Sequence, residues 1–238
     1  TIIEGAAAEP EVEDLAHFLI KMGAKIEGAG TTRIVVEGVK ELHGAEHTVI
    51  PDRIEAGTFL VAGAICGDGV MVRKVIPAHL KPITDVLAAS GYDITSTKDS
   101  VTIMPAKSPK GFHLTTRPHP GFPTDMQAQF CALACTIPGL SSVKETIFPQ
   151  RFMHVPELKR MGANIELDGD TARITGVEAL SGCPVMASDL RASAALVLAA
   201  IHAKGTTEVH RLYHIDRGYE HLDDKLATLG AVMERVRE

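Results

Sequence analysis

The sequence predicts an α/β fold of mixed strand pairing, assembled from repeated units, on three observations. A helix-to-strand phrase recurs four times: Gly-Ala-Lys-Ile-Glu at Gly23, Gly-Tyr-Asp-Ile-Thr at Gly91, Gly-Ala-Asn-Ile-Glu at Gly162 and Gly-Ala-Val-Met-Glu at Gly230, spaced 68, 71 and 68 residues apart. Each anchoring glycine follows an amphipathic run, as at residues 155–161 and 222–229, and precedes the alternation of a half-buried strand. A glycine just past a helix end accepts the positive φ that stops the helix. Finally, a chain of 238 residues that is 45% hydrophobic, 4% aromatic and without Trp builds its core from Ala, Val, Leu and Ile. Helices so lined pack close to a sheet.

Taken in order, the elements begin in the middle of a unit. The chain opens at Thr1 on a strand with no helix before it, then runs to the helix end at Gly23 and a further strand. A boundary falls near Ile50-Pro51: residues 1–50 read as the last repeat unit of an otherwise absent first domain, and residues 51–238 as a second domain of three units. Three such units can close around a pseudo-threefold axis, whereas a single unit cannot bury its own face. The three complete helix starts are Pro51-Asp52-Arg53, Pro123-Thr124-Asp125 and Ser188-Asp189-Leu190-Arg191, each followed by an apolar run. An Asp at each start predicts an N-cap, since its carboxylate accepts from free backbone N–H groups and faces the positive helix end.

The third unit shows the whole phrase: strand 112–116, a Pro-rich loop, helix 126–137, strand 141–146, loop 147–154, a second helix, and a hairpin turning at Asp168-Gly169. The segment 105–123, with five prolines, is a long loop around one short strand. The fourth unit stops after one strand of its hairpin, at 232–237. With no initiator Met and a torn unit at each end, the sequence is expected to be a fragment whose missing N-terminal segment supplies the absent pieces.

A formal net charge of -6 argues against a general nucleic-acid binder. Cys66, Cys131, Cys135 and Cys183 form no CxxC pair and no zinc spacing, and Cys131 and Cys135 lie one turn apart on an apolar face, as buried thiols. The longest uncharged apolar run, 192–203, is too short to span a bilayer and no signal peptide opens the chain, so a cytoplasmic location with no membrane partner is expected. His119, His154 and His214 lack ligand spacing on a common helix, and no metal is expected.

Chemistry concentrates in equivalent loops of successive units. If the last three units share an axis, Arg151, Arg191 and Arg217 converge on one mouth, where three guanidiniums match a ligand with more than one anionic group. The alternative is that each pairs with a local Asp or Glu. Asp125 sits among apolar and Pro neighbours, in Phe122-Pro-Thr-Asp-Met126, where desolvation would raise its pKa enough to accept a hydroxyl proton. A plain helix cap is the competing reading.

At these residues the chain closely resembles the UDP-GlcNAc enolpyruvyl transferases, the UDP-N-acetylglucosamine 1-carboxyvinyltransferase family. The carriers are Thr-Asp-Met-Gln-Ala-Gln-Phe from Thr124, Arg-Phe-Met-His-Val-Pro-Glu-Leu-Lys-Arg-Met-Gly-Ala from Arg151, Asp-Leu-Arg-Ala-Ser from Asp189 and Tyr-His-Ile-Asp-Arg-Gly-Tyr-Glu from Tyr213. The resemblance covers the whole chain and implies an inside-out α/β barrel, no cofactor, and transfer of the enolpyruvyl group of phosphoenolpyruvate to the 3-hydroxyl of UDP-N-acetylglucosamine with release of phosphate. That is the first committed step of peptidoglycan synthesis. It also implies roles: Asp125 contacts the hydroxyl and takes its proton, Ile147 contacts the nucleotide sugar, and Arg151, Arg191 and Arg217 surround phosphoenolpyruvate, with Arg217 acting in catalysis. The reactive Cys loop of the family, with its accompanying lysine and arginine, belongs to the missing first domain, so the fragment alone is expected to be inactive. Phe148-Pro149-Gln150-Arg151 also departs from the family's usual Phe-Glu-Asn-Arg. The alternatives are the sibling transferase that acts on shikimate 3-phosphate and a non-catalytic repeat module.

Overall fold

In the computed structural model of the chain, residues 1–66 and 68–236 are described. The first unit comprises β1 (Ile2–Glu4), α1 (Pro10–Lys21), β2 (Lys25–Glu27) and β3 (Arg33–Glu37), and the second α2 (Arg53–Cys66), β4 (Val70–Arg73), a 3-10 turn Pro77–Leu80, α3 (Lys81–Ala89), β5 (Asp93–Ser96) and β6 (Ser100–Met104). The third holds β7 (His113–Thr115), a 3-10 turn Thr124–Met126, α4 (Gln127–Thr136), β8 (Leu140–Lys144), α5 (Val155–Arg160), β9 (Asn164–Asp168) and β10 (Thr171–Thr175). The fourth holds β11 (Pro184–Met186), α6 (Leu190–His202), β12 (Glu208–His210), α7 (Tyr213–Asp216) and α8 (Leu222–Thr228).

One strand order recurs: β1-β3-β2, β4-β6-β5 and β8-β10-β9, all antiparallel, with the last strand of each hairpin slotted between its hairpin partner and the strand that precedes the helix. An amphipathic helix carries the chain from first strand to second, and a short hairpin returns the third into the gap. The glycines that stop those helices, Gly23, Gly91, Gly162 and Gly230, all have positive φ, between 91° and 100°. In the third and fourth units a strand also joins in parallel through a long helix, β7 with β8 across α4 and β11 with β12 across α6. Parallel neighbours cannot be joined by a tight hairpin and need such a crossover connection.

The helices α2, α4 and α6 pack against one another at the centre, and the sheets lie outside them. That inverts the usual barrel, and it explains the apolar, small-residue composition of these helices. Every residue of α4 from Gln127 to Cys135 is buried, as a helix enclosed on all sides requires. Small residues set the spacing: a Cβ at Gly63 would stand 2.9 Å from Ile103 and Val70 side chains, so α2 reaches β4 and β6 only through a glycine there. The buried cluster begins at Ile54 and takes in no residue of the first unit. That unit is tied to the body by a two-pronged ion pair, Arg53 Nε and Nη2 donating to the Glu11 carboxylate at 3.1 and 2.8 Å.

Several expectations shift in detail. Helix 126–137 divides into the 3-10 turn and α4, and strand 141–146 is β8, ending at Lys144. Beyond it Thr146 N–H is taken by the Thr116 hydroxyl, and a side chain replaces the ladder. The hairpin loop is Gly169–Asp170, one residue later than expected, with Thr171 opposite Asp168. Residues 232–236 form no strand, having no neighbouring strand to pair with, and Arg237 lies outside the described residues. No helix among the described residues is long and apolar enough to cross a membrane. Cys131 and Cys135 are fully buried within α4; burial drives both thiol pKa values up, that of Cys135 to about 12.

Candidate active site

The starts of the three central helices differ at one residue, and the site follows from that difference. At α2 the Asp52 carboxylate accepts from Ile54 N–H at 2.7 Å and Glu55 N–H at 3.0 Å. At α6 the Asp189 carboxylate accepts from Arg191 and Ala192 N–H at 2.8 and 2.9 Å. Both are N-caps, as expected. Between them in sequence, the cap position before Thr124 is Pro123, and Asp125 falls two residues further on, inside the 3-10 turn. Its carboxylate therefore caps nothing, which corrects the expectation of a cap at all three starts.

Asp125 instead lies between two guanidiniums. Arg151, from the loop after β8, reaches Oδ1 through Nη2 at 2.7 Å; Arg191, from the first turn of α6, reaches Oδ2 through Nη2 at 3.3 Å. Each arginine is held from behind. Arg151 Nη1 donates to the Thr124 hydroxyl at 3.0 Å, and its guanidinium carbon stands 5.6 Å from the Phe148 ring centroid. Arg191 Nη1 donates to the Tyr219 phenol at 3.3 Å. That phenol oxygen is 2.9 Å from the Thr58 hydroxyl and accepts from Gln129 Nε2 at 3.4 Å, so one buried polar node joins α2, α4 and α6. Tyr219 is only 1% exposed, and burial raises its pKa despite the adjacent Arg191.

Burial pushes the Asp125 pKa up, as the sequence suggests, but Arg191 and then Arg151 outweigh it, and the net displacement is below the usual carboxylate value. This reverses the expected direction, because the two arginines that decide it are brought in from 26 and 66 residues away. An isolated clasped Asp125 is a weak base.

All five residues singled out in the sequence, Asp125, Ile147, Arg151, Arg191 and Arg217, line one cleft of about 730 Å³. Phe148, Pro149, Gln150, Asp189 and Leu190 complete its walls. Arg217 differs from the other two arginines: it is exposed, and no ion-pair partner within 4.0 Å is found for it among the described residues. Its neighbour Asp216 is taken by Arg235, at 2.9 Å. Arg217 caps the C-terminal end of the four-residue α7, and the next helix begins only at Leu222, so no helix start lends N–H groups to this arginine. No group of three or more potential metal ligands occurs among the described residues.

Thr58, Thr124, Gln129, Glu145 and Tyr219 were not singled out from sequence. Tyr219 carried a usable signal, a tyrosine in a chain with only three, inside the quoted Tyr213–Glu220 motif. The rest read as ordinary polar residues until the fold gathers them.

Central helices wrapped by three-stranded sheets, with a cleft at the helix starts, define the enolpyruvyl transferase fold. The crystal structure of the enolpyruvyl transferase NikO from Streptomyces tendae superposes with a TM-score of 0.87 at 30% identity, covering 98% of this chain and 56% of that one. EPSP synthase from Acinetobacter baumannii shares the fold, with a TM-score of 0.72 at 18% identity, covering 93% and 55%. Residues 1–226 match the family EPSP synthase (3-phosphoshikimate 1-carboxyvinyltransferase), and the chain belongs to this family. Within it, the chain is 63% identical over 238 residues to a UDP-N-acetylglucosamine 1-carboxyvinyltransferase of Akkermansia muciniphila, covering 99% of this chain and 56% of the relative. A protein of the same name from Methylacidiphilum infernorum is 56% identical over 236 residues, again covering 56% of its length. The chain thus spans about half the length of the curated relatives it matches.

Proposed function

We propose that this chain forms the larger part of an enolpyruvyl transferase that moves the enolpyruvyl group of phosphoenolpyruvate to the 3-hydroxyl of UDP-N-acetylglucosamine. The observation that carries the reading is a carboxylate and three arginines on one cleft, in a chain 63% identical to a UDP-N-acetylglucosamine 1-carboxyvinyltransferase. In this reading residues 1–50 close a first barrel domain supplied by a further N-terminal segment, residues 51–238 form the second, and the enzyme acts in the cytoplasm in peptidoglycan synthesis, cell wall biogenesis and hence cell shape and division.

The chemistry suits the groups present. The sugar hydroxyl oxygen attacks C2 of phosphoenolpyruvate while Asp125 takes the hydroxyl proton, and C3 receives a proton from an acid on the N-terminal segment. The tetrahedral intermediate keeps both a carboxylate and a phosphate, which fixed guanidiniums stabilise. Loss of a proton from C3 and of phosphate from C2 then restores the double bond. Arg151 and Arg191 couple binding to base strength: an anion that draws either guanidinium toward itself loosens the hold on Asp125 and raises its proton affinity. Ile147, on the cleft wall, contacts the nucleotide sugar, and Arg217, free of a carboxylate partner, faces phosphoenolpyruvate.

The test is phosphate release by this chain joined to its N-terminal segment, with phosphoenolpyruvate and either UDP-N-acetylglucosamine or shikimate 3-phosphate. Release with the nucleotide sugar, and none from residues 1–238 alone, is expected. Release with shikimate 3-phosphate instead would reassign the acceptor, and release with neither would leave a binding module.

A further inference from the structure

A second carboxylate, Glu145, lies completely buried at the end of β8, directly behind the site. Among the described residues it has no ion-pair partner; four neutral donors surround it. Oε1 accepts from the Thr116 hydroxyl at 2.7 Å, from Ile147 N–H at 2.8 Å and from Phe148 N–H at 3.0 Å, while Oε2 accepts from the Thr124 hydroxyl at 2.8 Å. Two of these partners, Ile147 and Phe148, line the cleft, and a third, Thr124, adjoins it through Arg151. The two amides begin the loop that carries Ile147 and Arg151, and the Thr124 oxygen is the one that receives Arg151 Nη1 at 3.0 Å.

Proton inventory gives this chain of bonds a direction. A hydroxyl has one proton and two lone pairs, and a carboxylate can only accept. Thr124 therefore spends its proton on Glu145 and turns a lone pair to Arg151, whose other terminal nitrogen then reaches Asp125. Bonds aligned in this way polarise one another in a low-dielectric interior. With no cation beside it, the buried carboxylate depends on these four hydrogen bonds, and three of them run to Thr124 and to the start of the loop that carries Arg151.

We propose that Glu145 is a positioning residue, which acts through Thr124 to fix the Arg151 guanidinium and through two amides to fix the loop at residues 147–151. It touches no substrate. The kinetic consequence rests on the function proposed above, whereas the geometry does not, and the experiment reads the geometry in residues 1–238 alone. The charged groups in contact with Asp125 are Arg151 and Arg191, with Glu11 acting on it at longer range.

The experiment is ¹⁵N NMR of the Arg151 guanidinium together with ¹³C titration of the Asp125 carboxyl. In the wild type, Nη1 and Nη2 are held by different partners, and two resolved Nη signals are expected. Thr124→Val and Glu145→Gln should each let the guanidinium rotate and merge the two signals; Thr124→Ser, which keeps the hydroxyl, should leave them resolved. Asp125 should titrate about half a unit or more higher in Thr124→Val, as one of its two arginines loosens. Thr124→Val leaves Glu145 three of its four donors, so it carries the test even where Glu145→Gln does not fold. Nη signals that stay resolved in either folded variant, or an Asp125 titration unmoved by Thr124→Val, overturn the proposal, whatever either change does to the unfolding temperature.

Discussion

The start of α6 and the start of α4 use the same residue type for opposite ends. Asp189 turns its carboxylate inward onto the backbone of its own helix; Asp125, displaced two residues by Pro123, turns outward between arginines from two other elements. A cap needs only a short acceptor at one position and is a local matter. A clasp needs groups that only the finished fold delivers, and it leaves the carboxylate where a ligand can reach it. A two-residue offset at the head of a helix thus separates a structural aspartate from a chemical one.

The sharpest way to break that contrast is to change both aspartates to asparagine in the assembled enzyme. Asparagine caps about as well as aspartate, so Asp189→Asn should leave unfolding nearly unchanged, and although Asp189 lines the cleft, its loss of turnover should stay far below that of Asp125→Asn. Asp125→Asn removes the proton acceptor and should lower turnover by roughly a hundredfold to ten-thousandfold, the usual worth of general-base catalysis. Comparable losses from both, read as kcat and as the unfolding midpoint, would dissolve the distinction.

A third helix start sharpens it. His154 precedes α5, is 1% exposed, and makes no side-chain cap; its Nε2 has no hydrogen-bond partner among the described residues. Burial lowers its pKa to about 4, with the Asp189 charge opposing the shift and Arg151 adding to it. An unfolded histidine takes its proton near pH 6.5. Between those values the unfolded chain binds more protons than the folded one, so stability should fall as pH drops through this window, by roughly 3 kcal/mol in all. Denaturant unfolding from pH 7 to pH 4 measures it, and His154→Leu should flatten the slope. An equal slope in that variant would assign the effect to other groups.

Arg217 offers the smallest contrast, between arginines that already hold a carboxylate and one that holds none. Arg217→Lys keeps the charge and loses the planar fork. Use of phosphoenolpyruvate should weaken roughly tenfold to a hundredfold, the range of a lost charged hydrogen bond, with UDP-N-acetylglucosamine binding unchanged. Separate titrations decide it, and equal weakening of both substrates would move Arg217 to the nucleotide-sugar site.

The repeat was legible because its punctuation is local: a glycine at each helix end, alternation after it, apolar runs between. The site positions were legible in the motifs around Asp125, Arg151, Arg191 and Arg217. What those residues do to one another was not. Desolvation of Asp125 can be read from its Pro and Phe neighbours, but the arginines that reverse its effect come from distant turns. The role of Tyr219 was missed for a related reason: its phenol meets Thr58, Gln129 and Arg191, from three helices, only in the finished fold. Of the strand expected at 232–237, the described part, 232–236, is not a strand, because pairing belongs to a neighbour as much as to the strand itself.

The convergence of α2, α4 and α6 also shapes the field outside the molecule. Each helix start presents a positive backbone end, worth about half a unit charge. Asp52 and Asp189 neutralise two of these ends, while the end at α4 keeps its charge, because Pro123 has no acceptor to offer and Asp125 is committed to Arg151 and Arg191. At the cleft surface Arg151 and Arg191 outnumber the one carboxylate they hold, with Glu145 buried behind the wall, and Arg217 adds a third cation. In physiological salt, exposed charges beyond roughly 8 Å are largely screened. An approaching anion therefore responds to this positive corner, and the formal charge of -6 on the whole chain has little say in where it lands.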